Sequence, residues 1–288
     1  MQIEGFFDPA TWTISYLVVD PDTKVAAIID SVMDYEASSG RTKTDSAEKL
    51  IQRVRELGAS IDWILETHAH ADHLSAAPHL KEHLGGQIGI GVRIKEVQKV
   101  FGSLFNAGKQ FAHDGRQFDQ LFLDGQELSI GKLKLTVMHT PGHTPACVTY
   151  VVTDGKSTAA FVGDTLFMPD YGTARCDFPG GDPKTLYQSI SRVLSLPPDT
   201  RLFMCHDYQP GRREVQFEST VAQERAENVH VRDGISIEEF VAMRSARDET
   251  LSMPTLLLPS VQINMRAGQL PEPEDNGVAY LKIPLNAL

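Results

Sequence analysis

The stretch Thr67-His68-Ala69-His70-Ala71-Asp72-His73 is the part of this chain that decides its fold and chemistry. It ends the buried-strand pattern that starts at Ile61, and it places four side chains of metal-ligand type within six consecutive residues. Three more residues of this type come singly, each at the end of an apolar run: His143, Asp164 and His206. A lone His-x-His occurs often by chance, whereas this order and spacing rarely does. The sequence therefore predicts a metal site.

The residues alone leave two arrangements of this metal site open. Imidazole and carboxylate groups together suit zinc, iron, manganese or nickel. A binuclear hydrolase would hold a bridging hydroxide between two metals. The first metal would be bound by His68, His70 and His143, and the second by Asp72, His73 and His206. The Asp164 carboxylate would lie between the two metals. Alternatively, a single iron uses His68, His143 and Asp164 and keeps three open positions, the arrangement that supports O2 chemistry.

Composition narrows the functional classes. The chain has 288 residues, 41% of them hydrophobic, enough for one large domain or one domain with an appendage. A net charge of −11 and a pI near 5.3 argue against binding to nucleic acid or to an anionic membrane. No stretch reaches the roughly 18 uncharged apolar residues that a membrane span requires. Residues 1–9 also lack the basic and apolar regions of a signal peptide.

The cysteines predict a reducing compartment. Cys147, Cys176 and Cys205 are odd in number and unpatterned in spacing, which indicates reduced thiols in a cytoplasmic protein. Cys147 and Cys205 lie inside apolar runs and are expected in the core. Cys176 lies in a loop beside Arg175 and is expected to be more exposed.

Hydrophobic periodicity predicts two halves, in each of which strands are followed by helices. The predicted strands are residues 13–20, 24–30, 61–67, 120–123, 127–130, 132–139, 146–153, 157–162 and 201–205. The predicted helices are residues 45–57, 75–84, 183–196 and 237–247. The first of these opens with the capping-box pattern Asp45-x-x-Glu48 and stops at Gly58, after a loop over residues 33–43.

This order of elements predicts an α+β fold, a four-layer αββα sandwich with a C-terminal extension. The candidate ligands should gather at one edge of the sandwich, on loops that leave strand ends. We assign residues 1–232 to the catalytic domain and residues 233–288 to an extension that packs on it and has no core of its own.

Over roughly residues 12–230 the sequence resembles the metallo-β-lactamase superfamily, and within it the persulfide dioxygenases (sulfur dioxygenases), which are related to glyoxalase II. The matching stretches are Thr67 to Leu74, Thr140-Pro141-Gly142-His143-Thr144, Gly163-Asp164-Thr165-Leu166-Phe167, Ala174-Arg175-Cys176-Asp177-Phe178 and Cys205-His206-Asp207-Tyr208. Asp164 is unlike the ligand that most true β-lactamases place there. Arg-x-Asp-Phe and His-Asp-Tyr are more similar to persulfide dioxygenases than to glyoxalase II.

The resemblance implies a single non-haem Fe(II) held by His68, His143 and Asp164. It implies that His70, Asp72, His73 and His206 stay close and orient those ligands through hydrogen bonds, or bind a second metal. It also implies catalytic roles for Tyr208, Arg175 and Asp177: the tyrosine lies near the substrate and the ion pair braces the site. The expected reaction converts glutathione persulfide, O2 and water into sulfite and glutathione.

Two other functions remain as alternatives. The first is a binuclear zinc thioester hydrolase of glyoxalase II type. The second is a non-catalytic thiol or persulfide sensor, which the full set of ligands disfavours because a binding module needs no open metal positions. The expected partners are glutathione persulfide and O2, with neither nucleic acid nor membrane, and a homodimer is compatible with the sequence.

Overall fold

The computed structural model describes residues 1–287, and its first half is built on a six-stranded sheet. This sheet has the strand order β1-β2-β3-β6-β8-β9. Its strands are β1 (Gln2–Asp8), β2 (Thr13–Val19), β3 (Val25–Ile29), β6 (Ser60–Leu65), β8 (Gln87–Gly91) and β9 (Gln120–Phe122). β3, β6, β8 and β9 run parallel, so their carboxyl ends meet at one edge of the sheet.

A second six-stranded sheet forms the other half, in the order β10-β11-β12-β13-β14-β15. Its strands are β10 (Glu127–Ile130), β11 (Leu133–His139), β12 (Val148–Thr153), β13 (Thr158–Phe161), β14 (Arg201–Phe203) and β15 (Glu218–Thr220). β13 and β14 are its only parallel pair within the described chain, and both end beside candidate ligands.

The prediction of a loop over residues 33–43 is wrong. β4 (Val32–Glu36) and β5 (Arg41–Lys43) form a hairpin, and β7 (Leu74–Ser75) pairs with β4 to complete a three-stranded sheet. β5 is fully exposed, so it carries no alternation of apolar and polar residues that would have identified it as a strand.

Within residues 1–287, seven helices cover the outer faces of the two large sheets. They are α1 (Asp45–Leu57), α2 (Ala77–Leu84), α3 (Ile94–Leu104), α4 (Pro183–Val193), α5 (Val221–Glu227), α6 (Ile237–Asp248) and α7 (Leu257–Asn264). Gly58 ends α1 in the left-handed conformation, φ 60°, as predicted. The capping box predicted for α1 is wrong: the Asp34 carboxylate on β4 accepts the Ser46 amide at 2.9 Å instead.

Three apolar cores show that the molecule has four layers. One core lies between the two sheets and contains Tyr16, Val137 and Phe161. A second lies between the first sheet and α1, α2, α3 and α7, and a third between the second sheet and α4 and α6. The predicted αββα sandwich is therefore confirmed.

The C-terminal segment contributes to the second of these cores. Leu257 and Val261 on α7 and Met265, the residue that follows it, repeat every four residues and so share one face, and all three are buried with residues of α1 to α3. Pro259 lies in the first turn, where a missing amide proton costs little. The division of the chain at residue 232 stays a prediction.

The cysteines are buried throughout. Cys147 and Cys205 lie in the interior as predicted, and Cys176 is also buried, only 5% exposed, so its predicted exposure is wrong. Its loop folds inward because the Cys176 amide donates to the buried Asp248 carboxylate on α6 at 2.8 Å. Within residues 1–287, no helix is both long and apolar enough to cross a lipid bilayer.

Candidate metal centre

Strand ends bring the seven candidate ligands to one edge of the sandwich. The 68–73 loop leaves β6, Asp164 follows β13 in a 3₁₀ turn, and His206 follows β14. Gly163, just before Asp164, has φ 53°, and a Cβ there would lie 2.6 Å from the Thr67 hydroxyl oxygen. This position therefore needs glycine, because only glycine lets the two loops approach so closely.

His68, His143 and Asp164 form the first ligand cluster. Asp164 Oδ2 lies 3.8 Å from His68 Nε2 and 3.6 Å from His143 Nε2. All three residues are buried. Gly142, which precedes His143, packs against the backbone of α4, where an added Cβ would lie 2.3 Å from the Leu186 Cα atom.

His70, Asp72, His73 and His206 form the second ligand cluster, with their ligand atoms within 4.8 Å of one another. His206 Nε2 lies 3.0 Å from Asp72 Oδ2 and 3.4 Å from Asp164 Oδ1. Asp164 thus directs one carboxylate oxygen toward each cluster. The structure brings all seven predicted ligand residues together.

Hydrogen bonds fix which nitrogen of most imidazoles faces the centre. The Thr67 hydroxyl donates its one proton to Asp30 at 2.9 Å and therefore accepts a hydrogen bond from His68 Nδ1 at 3.0 Å. His143 Nδ1 donates to the Arg175 carbonyl at 2.8 Å. The Nδ1 atoms of His73 and His206 lie 3.2 and 3.4 Å from the Thr13 hydroxyl. All four rings therefore turn Nε2 toward the centre.

His70 has the opposite orientation. Its Nε2 lies 3.0 Å from Asp30 Oδ1 and 3.2 Å from Glu66 Oε2. Glu66 is held in turn by the Ser75 hydroxyl, which donates to its other oxygen at 2.6 Å. Only Nδ1 of His70 is left without a partner, and it faces the second cluster.

Burial and neighbouring charge set the protonation of the centre. Burial, reinforced by the nearby imidazoles, lowers the pKa of His68 well below its usual value, so this ring is neutral and able to bind a metal. Burial raises the pKa of Asp164, although His206 and His143 oppose the shift. Burial would lower the pKa of His70, but the Asp30 and Glu66 carboxylates outweigh it and raise that pKa.

The unpaired polar atoms of the centre fit a divalent metal. Buried polar atoms nearly always have a hydrogen-bond partner, so a group of unpartnered ones requires an explanation. The atoms without one are His68 Nε2, His70 Nδ1, His73 Nε2, His206 Nε2 and Asp164 Oδ1. Nitrogen and carboxylate donors of this kind suit zinc or iron.

A cavity of about 590 Å³ opens beside the centre, and Asp72, His143 and Asp164 line it. Tyr208 also lines it, with its ring stacked on His206 at 5.6 Å. Arg175 lines it too, but its guanidinium is held by Asp177 at 2.6 Å and by the Ser252 carbonyl at 2.7 Å. Asp177 is not a lining residue, so its contact with the site is through Arg175.

Several residues of the site were not identified from the sequence. Asp30 could have been identified from the sequence, because it ends a predicted strand that lies beside the strand of the ligand loop. Thr13, Glu66, Arg247 and Asn264 could not, because their contacts with the site depend on long-range packing or on side-chain direction.

Comparison with known proteins agrees with this geometry. The pattern of the metallo-beta-lactamase superfamily matches residues 13–206. A "Probable metallo-hydrolase" of Burkholderia pseudomallei is 66% identical over the full length of both chains. "Glyoxylase B2" of Dictyostelium discoideum is 48% identical over 100% of this chain and 98% of its own.

Persulfide dioxygenases are among the similar proteins as well. The mitochondrial persulfide dioxygenase ETHE1 of Homo sapiens is 32% identical over 92% of this chain and 88% of its own. The crystal structure of ETHE1 from Myxococcus xanthus superimposes with a TM-score of 0.73 at 27% identity, covering 93% of this chain and 100% of that one. The chain therefore belongs to the metallo-beta-lactamase superfamily.

Proposed function

We propose that this protein is an iron-dependent persulfide dioxygenase that oxidises glutathione persulfide, or a similar small persulfide, to sulfite and the free thiol. The make-up of the first ligand cluster is the observation that carries the proposal. Its members are His68, His143 and Asp164, whereas the unpaired Nδ1 of His70 belongs to the second cluster. Two histidines and one carboxylate remain, the ligand set of non-haem iron oxygenases.

His68, His143 and Asp164 would hold the iron, which when bound would supply the activation of O2. The balanced reaction takes glutathione persulfide, O2 and water to glutathione, sulfite and two protons. Cavities of several hundred Å³ accommodate small-molecule ligands, and the cavity here has about 590 Å³. Trp12, Phe167 and Tyr171 on its walls would exclude water from the persulfide sulfurs.

The charges of the cavity support a substrate that bears carboxylates. Three arginines line it. Arg175 and Arg244 are neutralised by Asp177 and Asp248, each at 2.6 Å. Arg247 forms no ion pair within the described chain, and its guanidinium lies 6.0 Å from the Tyr171 ring. A free cation at this position would bind a carboxylate of glutathione.

The buried cysteines support a reducing compartment such as the cytoplasm. Cys147, Cys176 and Cys205 are free thiols, and no disulfide links them. Burial raises the pKa of Cys147 to about 12, so this thiol stays protonated and unreactive beside a reactive persulfide.

A binuclear thioester hydrolase is the second candidate. The second cluster offers four donors, enough for another metal, and Asp164 reaches both clusters. The similarity to a glyoxylase at 48% identity also favours this candidate. His70 would then bind the second metal through Nδ1, which faces the second cluster.

Metal content and oxygen uptake distinguish the two candidates. Protein purified without added metal should contain about one iron per chain, and an oxygen electrode should record uptake with glutathione persulfide but not with glutathione. His68→Ala should lose both iron and activity. His79→Ala, which removes a partly exposed histidine outside the site, should retain both. Two tightly bound zinc ions, with acylglutathione hydrolysis and no oxygen uptake, would establish the hydrolase instead.

A further inference from the structure

Asn264, the last residue of α7, contacts the ligand loop directly. Its side-chain Nδ2 donates to the carbonyls of His70 at 2.8 Å and His73 at 2.7 Å. Its Oδ1 accepts the Ser75 amide at 2.8 Å. The side chain is buried, and both amide protons are used. One carboxamide from the C-terminal segment therefore spans the loop that presents four of the seven candidate ligands.

The loop has few other restraints on its backbone. Residues 68–73 belong to no helix or strand, and within the described chain the His70 and His73 carbonyls are their only backbone groups with a hydrogen bond to protein. Without Asn264 both carbonyls would be buried unpaired, at a substantial energetic cost. The loop would then be expected to rotate, and the imidazoles attached to it would move.

α7 is a firm support for this contact. Leu257, Val261 and Met265 anchor it in the core, and Gln98 on α3 donates to the Met265 carbonyl at 3.0 Å. Ser75, whose backbone amide donates to Asn264, also donates its hydroxyl proton to Glu66. Glu66 in turn contacts His70. The orientation of His70 is therefore linked to the position of α7 through one short chain of hydrogen bonds.

We propose that Asn264 is a positioning residue for the metal centre, held against the ligand loop by α7. Its amide fixes the backbone of the ligand loop so that His68, His70, Asp72 and His73 are held ready for the metal. Ligands held in place before binding raise metal affinity, and loss of such support typically costs about 10- to 100-fold. This inference concerns the metal centre and holds for either reaction, so it can fail or succeed independently of the proposed function.

The test compares Asn264→Asp and Asn264→Ala with a matched control, Gln262→Ala. Asp keeps the shape of Asn but places an acceptor opposite two carbonyls, so it breaks both donated bonds. Gln262 is also buried on α7, but it bonds to Leu258 and Lys282 and not to the ligand loop. Its loss tests whether any weakening of α7 has the same effect.

The measurements are Co²⁺ affinity, from competition with a chromophoric chelator, the visible spectrum of the Co²⁺ protein, and the melting temperature without metal. Both Asn264 variants should bind Co²⁺ about 10- to 100-fold more weakly and show a changed spectrum. Gln262→Ala should lower the melting temperature but keep the affinity and spectrum of the wild type. Wild-type affinity and spectrum in a folded Asn264 variant would overturn the proposal, as would equal losses in Gln262→Ala.

A measurement on the wild-type protein covers the case in which the Asn264 variants do not fold. If α7 and the metal centre are coupled, Zn²⁺ loading should slow hydrogen exchange in residues 257–264 more than in α6. Equal slowing of α6 and α7, or none in α7, would contradict the coupling.

Discussion

At the level of single residues, Tyr208 has a ring that is fixed by packing and a hydroxyl that does not take part in that packing. Its ring is packed between His206 at 5.6 Å and Tyr171 at 4.8 Å, so its position is fixed. The hydroxyl forms no hydrogen bond within the described chain. Burial, together with the nearby Asp72 and Asp164 carboxylates, raises the pKa of Tyr208 well above its usual value. The phenol therefore keeps its proton and can donate it in a hydrogen bond to the substrate or to oxygen.

Tyr208→Phe should keep its iron and lose about 10-fold or more in kcat/KM, or about 1.4 kcal/mol of transition-state stabilisation. The reason is that phenylalanine preserves the packed ring and removes only the donor. Metal analysis and steady-state oxygen uptake on the same preparation check this prediction. Wild-type turnover in fully iron-loaded Tyr208→Phe would show that the ring only packs.

Among the three cavity arginines, Arg247 is the one without a carboxylate partner within the described chain. If it binds a substrate carboxylate in both ground and transition states, Arg247→Gln should raise KM for glutathione persulfide about 10-fold and leave kcat nearly unchanged. Arg55→Gln is the matched control, because Arg55 is exposed on α1, has no ion pair within residues 1–287 and does not line the cavity. Equal KM values for Arg247→Gln and Arg55→Gln would exclude this role.

At the level of elements, α5 contains a buried acid that makes stability depend on pH. Glu224 is fully buried on this helix, and its contacts include a hydrogen bond from Asn228 at 2.7 Å. Burial raises its pKa to about 7 from 4.5. In the unfolded chain this group ionises near pH 4.5, whereas in the folded protein it keeps its proton until about pH 7. The contribution of Glu224 to the free energy of unfolding is therefore fully present below pH 4.5 and is lost as the pH rises to about 7.

Glu224→Gln should remove this dependence, because glutamine does not ionise. The difference in the free energy of unfolding between Glu224→Gln and wild type should grow in favour of the variant by about 3 kcal/mol from pH 4.5 to pH 8. Urea unfolding at a series of pH values measures it. Glu238→Gln, on the exposed face of α6, should leave the pH profile unchanged. A constant difference for Glu224→Gln across the range would show that Glu224 is ionised in the folded state.

At the level of the whole molecule, the two sheets place the ends of their parallel strands at one edge, where the metal centre lies. β3 and β6 bring Asp30 to the ligand loop, and β13 and β14 bring Asp164 to His206. The C-terminal segment closes this edge from outside, because residues 251–256 line the cavity and α7 contacts the ligand loop. Removal of that segment would therefore expose the cavity as well as the second core.

The sequence by itself was enough to predict the candidate ligand residues and the layered fold. The ligands cluster within six residues or follow apolar strands, and the periods of strands and helices are local properties of the chain. Those local patterns were enough to predict the αββα sandwich and the ends of α1. They were not enough for β5, which is exposed on both faces and so carries no hydrophobic period.

Only the tertiary structure decided how the ligands are oriented and supported. His70 turns toward Asp30, 40 residues away in sequence, and the loop around it is held by Asn264, 194 residues away. Arg247 belongs to the cavity because α6 ends beside the loop that contains Tyr171. These contacts satisfy buried polar groups across distant segments, and no local period records which segments will meet. The residue types therefore specify a metal centre, whereas packing sets which nitrogen of each histidine faces it.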